Sequence, residues 1–214
     1  VLKNKGNVLP LSADKAMLVI GPAANSLQYL NGPWSRTWQG TDSIISGESF
    51  ETISSAIGSK SKNTNYFLGC SEDSLINLPT VLEAAAKSDV IVLCLGEEPS
   101  AEKPGDIHDL TISSSQQELA KALINLGKPI ILVLVEGRPR IVSSFVDDCD
   151  GVIMAYQPGS SGGQAIADVL FGQVNPSGHL PFTYPRYVND LLTYDHKKSE
   201  EVDNYYGGNG YDPQ

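Results

Sequence analysis

Four carboxylate side chains share one short loop of the sequence, residues 96–106, and carboxylates that share a site can act as general acids and bases. They are Glu97, Glu98, Glu102 and Asp106. The apolar run Val90–Leu95 precedes the loop and predicts a buried parallel strand. Because open α/β sheets bind ligands at the carboxyl ends of their strands, these side chains are expected at a functional edge. The alternative is an acidic loop that is only solvated.

A second loop, residues 31–40, contains both tryptophans of the chain, Trp34 and Trp38, among glycine and proline. Tryptophans of a core normally lie within strands or helices, so two in one loop indicate a binding role. Flat indole faces can stack on the C–H faces of sugar rings, while a polar neighbour such as Arg36 binds hydroxyl groups. The alternative is that the two rings pack the loop onto the sheet.

A different enzyme class is suggested by residues 159–163, Gly-Ser-Ser-Gly-Gly, because the pattern G-x-S-x-G can place a nucleophile, here Ser161, on a sharp turn. Residues 156–158 separate this motif from the preceding strand, which argues against the sharp strand-to-helix turn that the motif needs. The candidate histidine partner for Ser161 is His196, which lies in a Lys-rich segment near the end of the sequence. A glycine-rich helix start with serine capping therefore fits these residues better than a serine hydrolase site.

Composition argues against several other classes of protein. The formal net charge is −10, whereas nucleic-acid binding relies on clustered Lys and Arg. No apolar run approaches the roughly 20 residues that span a bilayer. The three cysteines, Cys70, Cys94 and Cys149, lack CxxC spacing, so we expect buried thiols rather than a disulfide or zinc site. His108 and Asp109 have no second histidine at ligand spacing, so local hydrogen bonding is expected there, and no metal or cofactor.

Apolar runs alternate with helical patterns along the chain, which predicts an α/β fold: a mostly parallel sheet with helices on both faces, a three-layer sandwich. The predicted strands are Ala16–Gly21, Asn65–Gly69, Val90–Gly96, Pro129–Val135 and Gly151–Tyr156, with Leu180–Tyr184 as an edge strand. The predicted helices are Ser49–Ile57, Thr80–Lys87, Ser114–Leu126, Arg140–Val146 and Gly162–Leu170. Ser114 is the expected N-cap of its helix, with Gln117 as the capping-box partner, and Gly127 the C-terminal glycine.

Taken in order, several motifs resemble the second, α/β-sandwich domain of glycoside hydrolase family 3, the family of β-glucosidases and exo-β-glucanases. Residues 1–11 are similar to the segment that leaves the family's N-terminal barrel, and residues 34–40 to its WxxxWQG loop. Residues 158–181, with Pro-Gly, Gly-Gly, ADVLFG and NPSGHLP, match its most recognisable stretch. The resemblance covers essentially the whole chain. It implies a linker remnant over 1–15, the sandwich domain over 16–185 and an extended segment over 186–214.

The resemblance also implies roles for individual residues. In some branches of the family a loop of this form supplies the general acid/base, and Glu102 falls on that glutamate. The loop residues that match around it are Gly96, Glu97, Pro99, Gly105 and Asp106, whereas Ser100 replaces the usual aromatic residue. The nucleophile of the family is an aspartate of the N-terminal barrel, which this sequence lacks.

The expected activity is therefore hydrolysis of terminal β-D-glucosyl residues by a retaining mechanism, together with that barrel. The expected partners are a β-glucoside or β-glucan oligosaccharide and the barrel domain, with no nucleic acid and no membrane. The family resemblance alone favours a periplasmic or extracellular location. The alternatives left open are a non-catalytic carbohydrate-binding or docking module and the serine hydrolase described above.

Overall fold

The computed structural model describes residues 1–35, 37–40 and 50–188, which fold around one six-stranded sheet. The strands are β1 (Lys3–Asn4), β2 (Met17–Ile20), β3 (Thr64–Phe67), β4 (Val90–Gly96), β5 (Ile130–Val135) and β6 (Gly151–Met154). Their spatial order is β1-β6-β5-β4-β2-β3, and all neighbours run parallel except β1, which pairs antiparallel with β6. The predicted parallel sheet is confirmed.

The strand order reverses direction between β2 and β4. From β2 the chain moves outward to β3, then returns to the other side of β2 to form β4, β5 and β6 in turn. At such a switch point the loops that follow the two central strands diverge and leave a crevice at the carboxyl edge. The loop after β4, which begins at Glu97, leaves the sheet at this switch point.

Helices cover both faces of the sheet, so the three-layer arrangement is also confirmed. They are α1 (Leu27–Asn31), α2 (Ile53–Lys60), α3 (Leu78–Lys87), α4 (Ser114–Ile124) and α5 (Gly162–Leu170). Alternate strand residues face opposite layers: Val92 packs with α1, α2 and α5, while Ile91 and Leu93 pack with α3 and α4. Since β4 and β5 are buried along their whole length, their continuous apolar sequences follow directly from their central position. In the described residues no helix is long and apolar enough to cross a membrane.

Two predicted elements are wrong. Residues 140–146 do not form a helix, because Ile141 bridges to Thr111 and the Arg140 side chain binds the carbonyl groups of Leu110 and Thr111. A short 3-10 turn follows only at Val146–Asp148. Residues 180–184 form no strand either; the edge of β6 pairs with β1, and the Tyr184 hydroxyl binds Glu136 and the Arg140 carbonyl.

Smaller differences lie at helix ends. The N-cap of α4 is Ser113 rather than Ser114, and the Gln117 amide donates to the carbonyl of Ile112 instead of closing a capping box. Gly127 does follow α4 with a left-handed φ of 64°, as predicted. The strand β1 and helix α1 were not predicted, since two and five residues are too few to carry a periodic pattern.

Candidate active site

The loop after β4 is anchored by its first carboxylate. Glu97 is 7% exposed and accepts hydrogen bonds from the guanidinium groups of Arg138 and Arg140, each at 2.9 Å, and from the Arg138 backbone N–H at 2.8 Å. Burial alone would raise the pKa of Glu97, but the hydrogen bonds from the two arginines outweigh it and hold that pKa below its usual range. Glu97 is therefore an ionised structural anchor rather than a proton donor.

Glu102 has the opposite environment on the same loop. Its side chain is exposed and makes no hydrogen bond to the described residues. Its backbone has φ 56° and ψ −151°, a region that residues other than glycine rarely occupy. The Gly105 N–H donates to the Glu102 carbonyl at 2.8 Å, and Arg138 in turn holds the Gly105 carbonyl. The loop thus fixes the backbone of Glu102 while its carboxylate faces solvent.

The tryptophan loop lies against the acidic loop. The Gln39 carboxamide accepts from the Ala101 N–H at 2.9 Å and donates to the Ala101 carbonyl at 3.1 Å. Within the tryptophan loop, the Trp34 N–H donates to the Trp38 carbonyl at 3.2 Å. The structure therefore places the segment that carries both indoles next to the segment that carries Glu102.

Neither indole is packed onto the sheet: Trp34 is 66% exposed and Trp38 is 46% exposed. Close packing of the loop comes instead from Gly32 and Gly40, since an added Cβ on Gly40 would lie 2.2 Å from the Gly32 carbonyl oxygen. The two rings are thus available to a ligand. Arg36, the predicted hydroxyl-binding residue, lies outside the described residues.

A second buried carboxylate follows β5. Glu136 is fully buried; its Oε1 accepts from the Tyr184 hydroxyl and from the Arg140 N–H, while Oε2 has no hydrogen-bond partner among the described residues. Burial raises the pKa of Glu136 to about 7, and the charge of Glu97 also acts in that direction, whereas Tyr184 and Arg140 oppose it. Arg140 links this buried carboxylate to Glu97, because its backbone N–H donates to Glu136 and its guanidinium donates to Glu97.

Sequence reasoning did not find Arg138, Arg140 and Glu136. They follow β5 directly, in Glu136-Gly-Arg-Pro-Arg140, so they emerge beside the residues that follow β4. Two arginines at that edge, opposite a loop with four acidic residues, were the available signal, because charges at neighbouring strand ends can pair.

The remaining candidates do not form sites in the described part of the chain. Ser161 is exposed at the N-terminus of α5, and no described histidine or carboxylate hydrogen-bonds to it. His108 is exposed, and Asp109 accepts from the Thr111 N–H, as expected for local bonding. The three cysteines are buried free thiols, also as predicted. Among the described residues, no three His, Cys, Asp or Glu side chains are grouped so as to hold a metal ion.

Comparison with known sequences gives one consistent family. Residues 1–212 match the sequence model described as "Glycosyl hydrolase family 3 C-terminal domain". A lysosomal beta glucosidase of Dictyostelium discoideum is 42% identical over an alignment that covers 94% of this chain and 26% of that protein. A beta-xylosidase of Formosa agariphila is 32% identical, covering 91% of this chain and 28% of the relative. The chain thus spans about a quarter of the length of the curated relatives it matches.

Solved structures agree with this result. A beta-glucosidase from Listeria innocua in complex with glucose superimposes with a TM-score of 0.79 at 26% identity, over 94% of this chain and 27% of that one. An exo-1,3/1,4-beta-glucanase from a Pseudoalteromonas species superimposes with a TM-score of 0.66 at 32% identity, over 79% of this chain and 21% of that one. The similarity therefore extends to the three-dimensional arrangement of the strands and helices.

Proposed function

Because the chain belongs to the C-terminal domain family of glycosyl hydrolase family 3, we propose that it supplies the general acid/base, Glu102, to a retaining β-glucosidase or exo-β-glucanase. The other half of the active site would come from an N-terminal barrel domain of the same enzyme. The β-glucosidases among the similar proteins support the sugar class.

The observation that carries the proposal is the contrast within one loop. Glu97 is buried and doubly paired with arginine, while Glu102 is exposed, unpaired among the described residues, and set on a backbone that is held from both sides. A surface carboxylate in a merely solvated loop needs no such support. A group that must meet a substrate oxygen within hydrogen-bond reach does need it, because small errors of position reduce rates strongly.

The proposed reaction uses two carboxylates on opposite sides of the scissile bond. The aspartate of the barrel attacks the anomeric carbon while Glu102 donates its proton to the leaving glycosidic oxygen, and the resulting glycosyl–enzyme ester is hydrolysed by water that Glu102 deprotonates. In retaining enzymes the two carboxyl groups lie roughly 5–5.5 Å apart. Glu102 by itself therefore provides one half of the required pair.

The tryptophan loop would bind the leaving-group sugar. Trp38, and with it Trp34, offers an exposed indole face at the edge where Glu102 projects, and Arg36 would hydrogen-bond sugar hydroxyls. The substrate would be a β-glucoside or a β-glucan oligosaccharide. Since a beta-xylosidase is among the similar proteins, the glycone is best established with a panel of aryl β-glycosides before the mutants are measured.

The test compares Glu102→Ala with the wild type in the full-length protein that carries this chain. For a β-glucoside with a poor leaving group we expect kcat/KM to fall about 10²–10⁴-fold, since proton donation to the leaving oxygen is lost. For a 2,4-dinitrophenyl β-glucoside, whose leaving group departs without a proton, added azide should restore turnover and yield a β-glucosyl azide, because azide attacks the ester without needing a general base. Glu98→Ala, which removes an exposed carboxylate from the same loop, is the matched control and should remain active.

Two other results would redirect the proposal. An unchanged rate in Glu102→Ala would leave this chain as a carbohydrate-binding or docking module, with the acid/base elsewhere. Covalent labelling of Ser161 by a fluorophosphonate probe would revive the serine hydrolase alternative, which the lack of a described histidine or carboxylate hydrogen-bonded to Ser161 argues against.

A further inference from the structure

The paired hydrogen bonds between Gln39 and Ala101 join two loops that lie 62 residues apart in sequence. One side-chain amide satisfies both backbone groups of a single residue, as a neighbouring β-strand would. Gln39 directly follows Trp38, and Ala101 directly precedes Glu102. The contact therefore connects the residue proposed to bind the sugar with the residue proposed to transfer the proton.

Glu102 needs restraint on both sides because of its backbone conformation. A φ of 56° with a ψ of −151° costs a residue other than glycine free energy, so the segment would relax if it were free to do so. On the C-terminal side, Gly105 donates to the Glu102 carbonyl and is held by Arg138, which Glu97 fixes. On the N-terminal side, Gln39 is the side chain that hydrogen-bonds to the backbone of Ala101.

We propose that Gln39 is a positioning residue: it clamps Ala101, maintains the strained backbone of Glu102, and thereby sets the direction of the catalytic carboxylate. This inference rests on the proposed role of Glu102. Gln39 touches no reacting atom. Its effect should therefore appear only in the steps in which Glu102 transfers a proton, and formation of the glycosyl–enzyme ester should change little where the leaving group departs without a proton.

The experiment is Gln39→Met in the full-length protein, since methionine keeps the length of the side chain and removes both hydrogen bonds. We expect kcat/KM for a phenyl β-glucoside, a poor leaving group, to fall about 10–100-fold. For a 2,4-dinitrophenyl β-glucoside, which needs no acid catalysis, kcat/KM should change by less than about 3-fold. A plot of log(kcat/KM) against leaving-group pKa for a series of aryl β-glucosides should become steeper.

The leaving-group series separates positioning from a purely structural role. If Gln39 only stabilised the fold or the tryptophan loop, both substrates would lose the same factor. An equal loss, or no loss, overturns the inference. Gln164→Met, which replaces an exposed glutamine on α5 that bonds to Asp168 of its own helix, is the matched control and should leave the slope unchanged.

Failure of this inference and failure of the proposed function are distinguishable. If Glu102→Ala loses activity and azide restores it while Gln39→Met shows an unchanged slope, Glu102 stands and the clamp is rejected. If Glu102→Ala is fully active, the proposed function itself is rejected. Should Gln39→Met not yield folded protein, Gln39→Asn keeps the amide but is one methylene too short for both bonds, and the same steeper slope is then expected.

Discussion

At the scale of single residues, the position of a carboxylate matters less than what surrounds it. Glu97 and Glu102 lie in one loop, yet burial and two arginines make the first an anchor, while the second is exposed to solvent. Ser100, which departs from the family pattern, lies against Gly105 in this loop: a Cβ on Gly105 would be 2.9 Å from its hydroxyl oxygen. The small side chain of Ser100 lets Gly105 lie close to the backbone of residue 100.

Trp38 gives the residue-scale prediction. In the full-length protein, Trp38→Ala should raise KM for a β-glucan oligosaccharide about 2–10-fold, since one ring contact contributes about 0.5–1.5 kcal/mol. The KM for a simple aryl glucoside, which has no second sugar, should change less. Tyr66→Ala removes an aromatic ring that is 39% exposed on β3 and serves as the control. An oligosaccharide KM that Trp38→Ala leaves unchanged would refute stacking on this ring.

At the scale of elements, the carboxyl edge depends on close contact between strand ends. Gly21 directly follows β2 with a φ of 117°, and an added Cβ would lie 2.1 Å from the Cys94 carbonyl oxygen. Gly21→Ala should therefore lower the free energy of unfolding by about 2–4 kcal/mol. Gly58 lies within α2 with open space around it, so Gly58→Ala should raise that free energy by about 0.5–1 kcal/mol. Urea unfolding of the two variants compares them directly, and equal stabilities would contradict the close approach.

How far the sequence predicts these elements depends on how local their causes are. The bounds of β4 and α5 were predicted in full, because a continuous apolar run and a helical pattern are visible in the sequence itself. The helix predicted over residues 140–146 failed because Arg140 is held by Glu97 and by two carbonyl groups 29 and 30 residues away. The Gln39–Ala101 contact is of the same long-range kind, and no local pattern reports it.

At the scale of the whole molecule, the groups proposed to act on a substrate collect at one edge. Glu102 and the two exposed tryptophans belong to two loops that are joined by the hydrogen bonds of Gln39. The short antiparallel strand β1 lies elsewhere, at the side of the sheet formed by β6. This arrangement accords with the proposal that the edge forms one side of a binding cleft.

The buried carboxylates beneath this edge make the stability of the whole domain depend on pH. Because the pKa of Glu136 is raised to about 7, the folded state keeps a proton that the unfolded state releases near pH 4.5. The free energy of unfolding should therefore fall as the pH rises from about 4.5 to 7. Glu97 acts in the opposite sense: its lowered pKa gives stability that is present above pH 4.5 and is lost as the pH falls through its folded-state value. The contributions of these two groups to stability are therefore both present only on the acidic side of neutrality.

Glu136→Gln tests this balance, because glutamine resembles the protonated acid at every pH. The wild type and Glu136→Gln should diverge between about pH 4.5 and 7, with the variant gaining on the order of 2–3 kcal/mol relative to the wild type across that interval. Tyr184→Phe removes the hydroxyl that donates to Glu136 Oε1, and this hydrogen bond lowers the pKa of Glu136. In this variant the free energy of unfolding should therefore still fall with rising pH, and the fall should extend to higher pH than in the wild type. Denaturant unfolding at several pH values measures all three proteins. Parallel curves for the wild type and Glu136→Gln would show that Glu136 is ionised in the folded protein, with Arg140 compensating its charge.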